Sequence, residues 1–170
     1  MTDTEMTRKH PEKQFWDELE DVHAVMLGLL CNRDHMQPMA PFADPENGKV
    51  WFFSRKSNDL VTECGAECTA HFTFVADHNN YYASAKGRLR RSGNVDKVEE
   101  YWSPVVAAWY EHGKDDPDIA LMELTLEDAA MWSTTGNALK FGWEIAKANI
   151  RDEKQPDLGE RNRVVFTRAA

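Results

Sequence analysis

Cysteine is scarce in this sequence: Cys31, Cys64 and Cys68 are the three present in 170 residues. An odd, small number in a chain of this length does not build a disulfide framework. No apolar run approaches the roughly 20 residues that a membrane-crossing helix needs. Met1 to Lys13 is polar and lacks the apolar centre of a signal peptide, so a reducing cytoplasm is the expected setting. Cations are outnumbered: 20 Lys and Arg face 29 Asp and Glu, for a formal net charge of −9. That balance excludes a sequence-independent nucleic-acid binder, which needs basic residues to displace counterions from phosphates. It also excludes docking on an anionic membrane surface. The chain has no G-x-S-x-G, no P-loop and no G-x-G-x-x-G. His23, His35, His71, His78 and His112 have no nucleophile partner in the pattern, so no catalytic acid or base is named.

Aromatic residues are plentiful, with six Trp, eight Phe and four Tyr. That density suits a β-rich core, an aromatic-lined pocket or a subunit interface. Residues 1–11 are polar and end in Pro11, which predicts a flexible arm. Phe15, Leu19 and Val22 then recur at helical spacing among acidic residues, which predicts a short amphipathic helix. Strands are expected over Ala24–Cys31, His35–Ala43, Val50–Ser54, Cys68–Val75, Tyr81–Arg91 and Ile119–Thr125. Pro38 and Pro41 make His35–Ala43 an edge or bulged strand, because proline cannot donate to a ladder. A helix is expected over Asp59–Cys64. Another carries Val95, Val98, Trp102, Val105 and Trp109, broken or kinked at Pro104. Leu139, Trp143, Ala146 and Ile150 predict a C-terminal helix. Residues 151–163 read as a polar tail, with a short strand at Val164–Phe166. Short strands between turn signals define a β-barrel with peripheral helices, mainly β and α+β in the broad sense.

Three groups of residues carry chemistry. Trp51–Asp59 (WFFSRKSND) brings a strand end, Arg55, Lys56 and a helix start near Ser57-Asn58 together. Free backbone N–H groups, hydroxyls and two cations there suit a phosphate. On spacing alone, an ordinary capped helix with two solvated cations explains the segment better. His35-Met36-Gln37-Pro38-Met39 offers a flexible apolar surface for a planar ring, although Met in a core is the usual reading. Lys86, Arg88 and Arg90 alternate along one strand face, where they would meet an anion or, more simply, form a solvated exterior. Cys64, Cys68 and His71 lack a fourth ligand for a closed zinc site, so buried cysteines are preferred to a metal.

Taken in order, these segments resemble a known family. The x-Pro-Met strand and the W-F-F-Ser strand are followed by a helix opening near Ser57. Next come Tyr101-Trp102-Ser103-Pro104, Trp109-Tyr110 and Gly113–Asp118. Leu121–Trp132 (LMELTLEDAAMW) and Gly136-Asn137 complete the set. The set resembles the general-stress-protein branch of the pyridoxamine 5′-phosphate oxidase-like FMN-binding split barrels, over roughly residues 12–150 as one domain. The resemblance implies a six-stranded antiparallel split β-barrel of Greek-key-like topology, which leaves the polar residues 1–11 as an arm and 151–170 as a tail. It implies a homodimer with FMN in a groove at the subunit interface, and flavin-dependent oxidoreductase chemistry on an unknown substrate. Gln37, Pro38 and Met39 would flank the ring. Phe53, Ser54, Arg55, Lys56 and Ser57 would approach the ribityl chain and phosphate. Trp132 would reach the site from the partner subunit.

Two positions depart from the family pattern. Gln37 stands where Arg commonly precedes Pro-Met, and Asp59 stands where Lys often follows the helix-opening Ser. At about 5 Å and an effective dielectric near 20, each such charge pair is worth roughly 3 kcal/mol before screening. The departures favour an alternative: a non-catalytic dimer that binds or senses flavin, deazaflavin or haem with weakened or lost FMN affinity.

Overall fold

The computed structural model describes residues 3–31, 35–76, 80–134 and 159–166. Helices α1 (Asp3–Lys9) and α2 (Pro11–Asp21) lead into strands β1 (Val25–Leu29), β2 (Gln37–Met39), β3 (Phe42–Asp44) and β4 (Lys49–Arg55). Helix α3 (Asp59–Cys64) precedes β5 (Cys68–Val75) and β6 (Tyr81–Ser92). Two short helices, α4 (Val95–Tyr101) and α5 (Pro104–Ala107), come before β7 (Ile119–Thr134) and β8 (Gly159–Val165). No helix among the described residues is long and apolar enough to cross a membrane.

The strands form one eight-stranded antiparallel sheet in the order β2-β1-β5-β6-β7-β4-β3, with β8 also on β7. Laid flat, six inter-strand steps would hold β2 and β3 about 29 Å apart. Only Ala40 and Pro41 separate Met39 from Phe42, a link that spans about 11 Å at most. The sheet must therefore curl until its ends meet. β2 and β3 do not pair with each other, and the prolines at 38 and 41 remove donors at this junction. The result is an antiparallel barrel split along one seam.

Curvature is concentrated in the longest ladder. Lys86 pairs with Asp128 but Gly87 pairs with Leu126, so Glu127 bulges out of β7. A bulge adds twist and bends the strand. Before it, β7 pairs with β4 over Ile119–Thr125; beyond it, β7 pairs with β8 over Asp128–Thr134. Gly87 permits the bend, because a Cβ there would lie 2.0 Å from the Thr125 carbonyl oxygen.

Alternate residues of β5 and β6 point inward, and α2 plugs the barrel. Phe15 is fully buried, with its ring 5.9 Å from Phe74, 5.7 Å from Phe166 and 5.2 Å from Trp16. Burying a side chain of this size contributes about 2–3 kcal/mol. On the outer face, Lys86 pairs with Asp128, Arg88 with Glu67 and Arg90 with Glu123. The alternating cations thus form a partly solvated exterior.

Four expectations are corrected. The first is the strand count, which is eight among the described residues and differs slightly from six while keeping the split-barrel fold. His35–Ala43 splits at its prolines into β2 and β3, and the short strand expected at Val164–Phe166 lengthens toward its N-terminus into β8. Residues 159–163 of the expected tail therefore belong to the sheet; their polar side chains suit an edge strand. The N-terminal arm is also ordered, since residues 3–9 are helical and Thr7 is buried. Thr7 Oγ1 lies 2.7 Å from both Gln14 Oε1 and Ser133 Oγ, and the Thr7 carbonyl accepts from Asn162 Nδ2 at 2.9 Å. Finally, β7 continues nine residues past the expected end at Thr125. In the added part, Glu127 is the bulged residue and Asp128 is paired with Lys86 and Arg163. The helix expected around Leu139–Ile150 lies outside the described residues.

Gly87→Ala is expected to lower the unfolding free energy by about 3 kcal/mol, the upper end of ordinary overpacking. Gly93→Ala, which meets open space, should change it by less than about 0.5 kcal/mol. Urea denaturation of the two variants checks the contrast.

Candidate functional site

An aromatic cluster outside the core gathers at the split in the barrel. On β4, Val50, Phe52 and Ser54 face inward while Trp51, Phe53 and Arg55 face the other way. Phe53 meets Phe42 at 5.5 Å edge-on and Trp102 at 6.0 Å, and Trp102 meets Tyr110 at 6.0 Å. The segment α4–α5 thus lies over the outside of β4. Pro104 begins α5 rather than interrupting a helix, and Ser103 caps it by accepting from the Val106 N–H at 3.3 Å.

Two polar contacts set hold this second layer. Asp44 accepts from Asn47 Nδ2 at 2.8 Å, Trp51 Nε1 at 3.1 Å and Lys97 Nζ at 3.1 Å. Burial disfavours its charge, but these donors outweigh burial and hold its carboxyl below the usual range. At the other end, the Tyr110 hydroxyl donates to the Ser54 carbonyl at 2.8 Å. Burial pushes the Tyr110 phenol up to about 12, so it stays a donor at neutral pH.

Between α5 and the β2–β3 seam lies a groove of about 480 Å³. Pro38, Met39, Phe53, Ser54 and Arg55, all named in the sequence reading, line it. Phe42, Asn58, Val106, Trp109 and Tyr110 complete its walls. Trp109 and Val105 stand at its rim, 68% and 73% exposed. Of the remaining expected residues, Gln37 sits beside the groove and accepts from Asn58 Nδ2 at 3.0 Å. Ser57 and Lys56 are exposed and do not line it. Asn58, not Ser57, caps α3, accepting from the Leu60 N–H at 2.8 Å.

The two expected phosphate cations already have partners. Arg55 donates to the Trp109 carbonyl at 2.7 Å and lies 3.7 Å from Asp118. Lys56 donates from its backbone to the Asp118 carbonyl at 2.9 Å and from Nζ to the Pro117 carbonyl. Asp118 in turn is positioned by Asp116, which accepts from its N–H at 2.9 Å.

Trp132 lies on another face. Register rows run Pro38–Met26–Thr73–Ser84–Ala130 and Val75–Tyr82–Trp132 across the outside of the sheet. Met26, Val75, Tyr82 and Trp132 are 38–46% exposed and border a hollow of about 400 Å³. Within one chain this patch and the groove are separate, but they share the β2 edge at Pro38.

Residues 105–110 and Phe42 were missed as site residues. Their signal was the Ser-Pro cap followed by Trp109-Tyr110, which marks an aromatic turn rather than a helix face.

A split antiparallel barrel with a groove at its seam defines a fold class, and the comparisons give the family. The family model for pyridoxamine 5′-phosphate oxidase-like proteins matches residues 10–157, and the chain belongs to that family. It is 36% identical to a Jannaschia sp. CCS1 protein assigned as general stress protein 26, with TM-score 0.75 over 91% of this chain and 97% of that one. It is 35% identical to the general stress FMN/FAD binding protein of Xanthomonas citri, with TM-score 0.68 over 74% of this chain and 90% of that one. A general stress family protein of Xanthomonas campestris pv. campestris is 33% identical, with TM-score 0.65 and the same coverage. No curated protein matches the sequence.

Because the folded Asp44 carboxyl is held below its unfolded value, its contribution is present above about pH 4 and fades as pH falls through the lowered folded value. At pH 7, Asp44→Asn should cost about 2 kcal/mol, the scale of a charged hydrogen-bond set. The gap between wild type and variant should shrink on acidification from pH 5 to pH 2–3, read as denaturation midpoints.

Proposed function

We propose that the seam groove binds FMN and that the protein is a flavin-dependent oxidoreductase working as a cytoplasmic homodimer. The observation that carries this reading is the convergence of Pro38, Met39, Phe53, Ser54 and Arg55 on one groove. Membership of a family with an FMN/FAD binding relative supports it. Groove volume and composition fit a planar ring with a polar tail, since binding sites of this kind are mostly apolar with a few placed polar groups.

A bound flavin would supply the redox chemistry, accepting and passing on hydride or single electrons. The chain's own residues would do the rest. Pro38, Met39 and Phe53 would sandwich the ring and exclude water. Asn58 and the Gln37 amide fix one another and would present hydrogen-bonding atoms at the ring edge. Arg55 would meet the phosphate end, turning from the Trp109 carbonyl, with the backbone of Ser54 beside it.

The apolar patch supports the dimer. A second copy covering Met26, Val75, Tyr82 and Trp132 would extend past Pro38 and bring its own Trp132 toward the groove. Exposed contiguous apolar surface rimmed by polar residues is the usual mark of such a contact.

A second reading is favoured by a specific observation. Arg55 and Lys56 are both engaged by the Pro117-Asp118 turn, and Asp59 adds a carboxylate to the first turn of α3. A dimer that binds flavin, deazaflavin or haem without turnover would tolerate this shortage of free cations.

Titration of FMN with fluorescence detection is expected to show saturable quenching. Phe53→Ala and Arg55→Ala should each weaken binding about tenfold, or 1.4 kcal/mol. A colourless protein that neither quenches FMN nor is stabilised by it would overturn the reading. Anaerobic reduction of the bound flavin by a nicotinamide nucleotide separates the enzyme from the non-catalytic binder. In light scattering, Trp132→Glu should convert a dimer to a monomer, because a charge would then be buried in the contact.

A further inference from the structure

The chain's three cysteines, 37 residues apart at their extremes in sequence, lie at one end of the barrel. Two local features bring them there. β1 and β5 pair with Leu29 opposite Ala70, and the Leu30 N–H donates to the Thr69 carbonyl at 2.9 Å. Carried one residue further, that register places Cys31 opposite Cys68. Gly65 then ends α3 at φ +63, which turns the chain so that Cys64 comes back on Cys68. The Cys64 and Cys68 Sγ atoms are 3.0 Å apart, and the register sets Cys31 beside them.

The three thiols differ in access. Cys31 is exposed at the barrel mouth, while Cys64 and Cys68 are buried. The Cys64 thiol also lies 3.2 Å from the Leu89 carbonyl, to which it donates. Burial, reinforced by its two thiol neighbours, pushes the Cys68 thiol up, so Cys68 is not the group that meets a reagent first. His71 takes no part: it points to the other face of β5 and pairs with Ser84 Oγ at 3.1 Å. No group of three or more His, Cys, Asp or Glu among the described residues could hold a metal ion. An exposed thiol leading to a buried thiol pair is a gradient of access that packing alone does not require.

We propose that Cys31, Cys64 and Cys68 form a thiol relay that takes up one equivalent of a hydroperoxide at the surface and stores it as an internal disulfide. In the first step the Cys31 thiolate attacks the peroxide. A sulfur–oxygen bond forms, the oxygen–oxygen bond breaks, and the departing alkoxide or hydroxide takes a proton. Cys31 becomes a sulfenic acid, losing two electrons to the peroxide. In the second step the Cys68 sulfur attacks Cys31. The sulfur–sulfur bond forms, the sulfur–oxygen bond breaks, and water leaves with the Cys68 proton. In the third step Cys64 attacks Cys68 and releases Cys31, its proton passing to Cys31, with no net redox change. A small dithiol returns the pair to thiols and is itself oxidised to a disulfide. The relay is independent of what the seam groove binds.

The test uses the full reduced chain, a small excess of hydrogen peroxide, denaturing alkylation and peptide mapping by mass spectrometry. Wild type is expected to lose two alkylatable thiols per chain and to yield a Cys64–Cys68 disulfide within one chain. Cys31→Ser should slow that loss at least about tenfold, since only buried thiols remain. Cys64→Ser should accumulate the Cys31–Cys68 disulfide instead. The proposal is overturned if Cys31 proceeds to sulfinic acid while Cys64 and Cys68 stay alkylatable. Disulfides only between Cys31 residues of two chains would overturn it equally. Wild-type mapping decides the matter even where a variant fails to fold.

Discussion

The fold depends on the two-residue link between β2 and β3. Ala40 and Pro41 join strands that occupy opposite ends of the sheet order, and so short a tether forces the sheet to close on itself. Closure needs somewhere to bend, and the bend falls where Glu127 bulges opposite Gly87. It also needs a filling, which α2 provides by driving Phe15 among Phe72, Phe74 and Phe166. The tether brings the ends together without bonding them, and the candidate groove runs along the resulting gap.

The groove has a second origin, in the aromatic layer outside β4. A barrel wall facing solvent would ordinarily be polar, yet Trp51 and Phe53 occupy that face. They are covered because Asp44 binds Lys97 on α4 and Ser54 binds Tyr110 beyond α5. One pin lies at each end of β4, and the segment between them arches over the strand. The same arrangement ties Arg55 and Lys56 to the Trp109–Asp118 stretch. The cations therefore have a structural task, which bears directly on how firmly the site could hold a phosphate.

Much of this was legible because period and punctuation are local. α3 and β5 appear at the residues read from composition, and β4 and β6 within a residue or two. Inward and outward faces of β5 and β6 follow from alternation alone. The site was legible only in part. Pro38, Met39, Phe53, Ser54 and Arg55 converge, since they lie on strands whose faces can be read. Lys56 turns toward Pro117, and no pattern within WFFSRKSND encodes a carbonyl that lies 61 residues further along the chain. Phe42 and Trp109 were invisible as wall residues because their role depends on an α4–α5 arch with weak periodicity. β8 was obscured by its polar edge character, and the second half of β7 by its acidic bulge.

The sequence by itself determined the alternating strands, the extent of α3, the unzipped proline junction and the acidic surface. Each of these follows from neighbours a few residues away, where backbone sterics, missing donors and side-chain period act directly. Only the tertiary structure decided which cations remain free and that Cys64 comes back on Cys68. It also decided that Trp132 faces outward, away from the groove of its own chain. Those outcomes depend on register between distant strands, and shifting a ladder by one residue would exchange every inward side chain for an outward one.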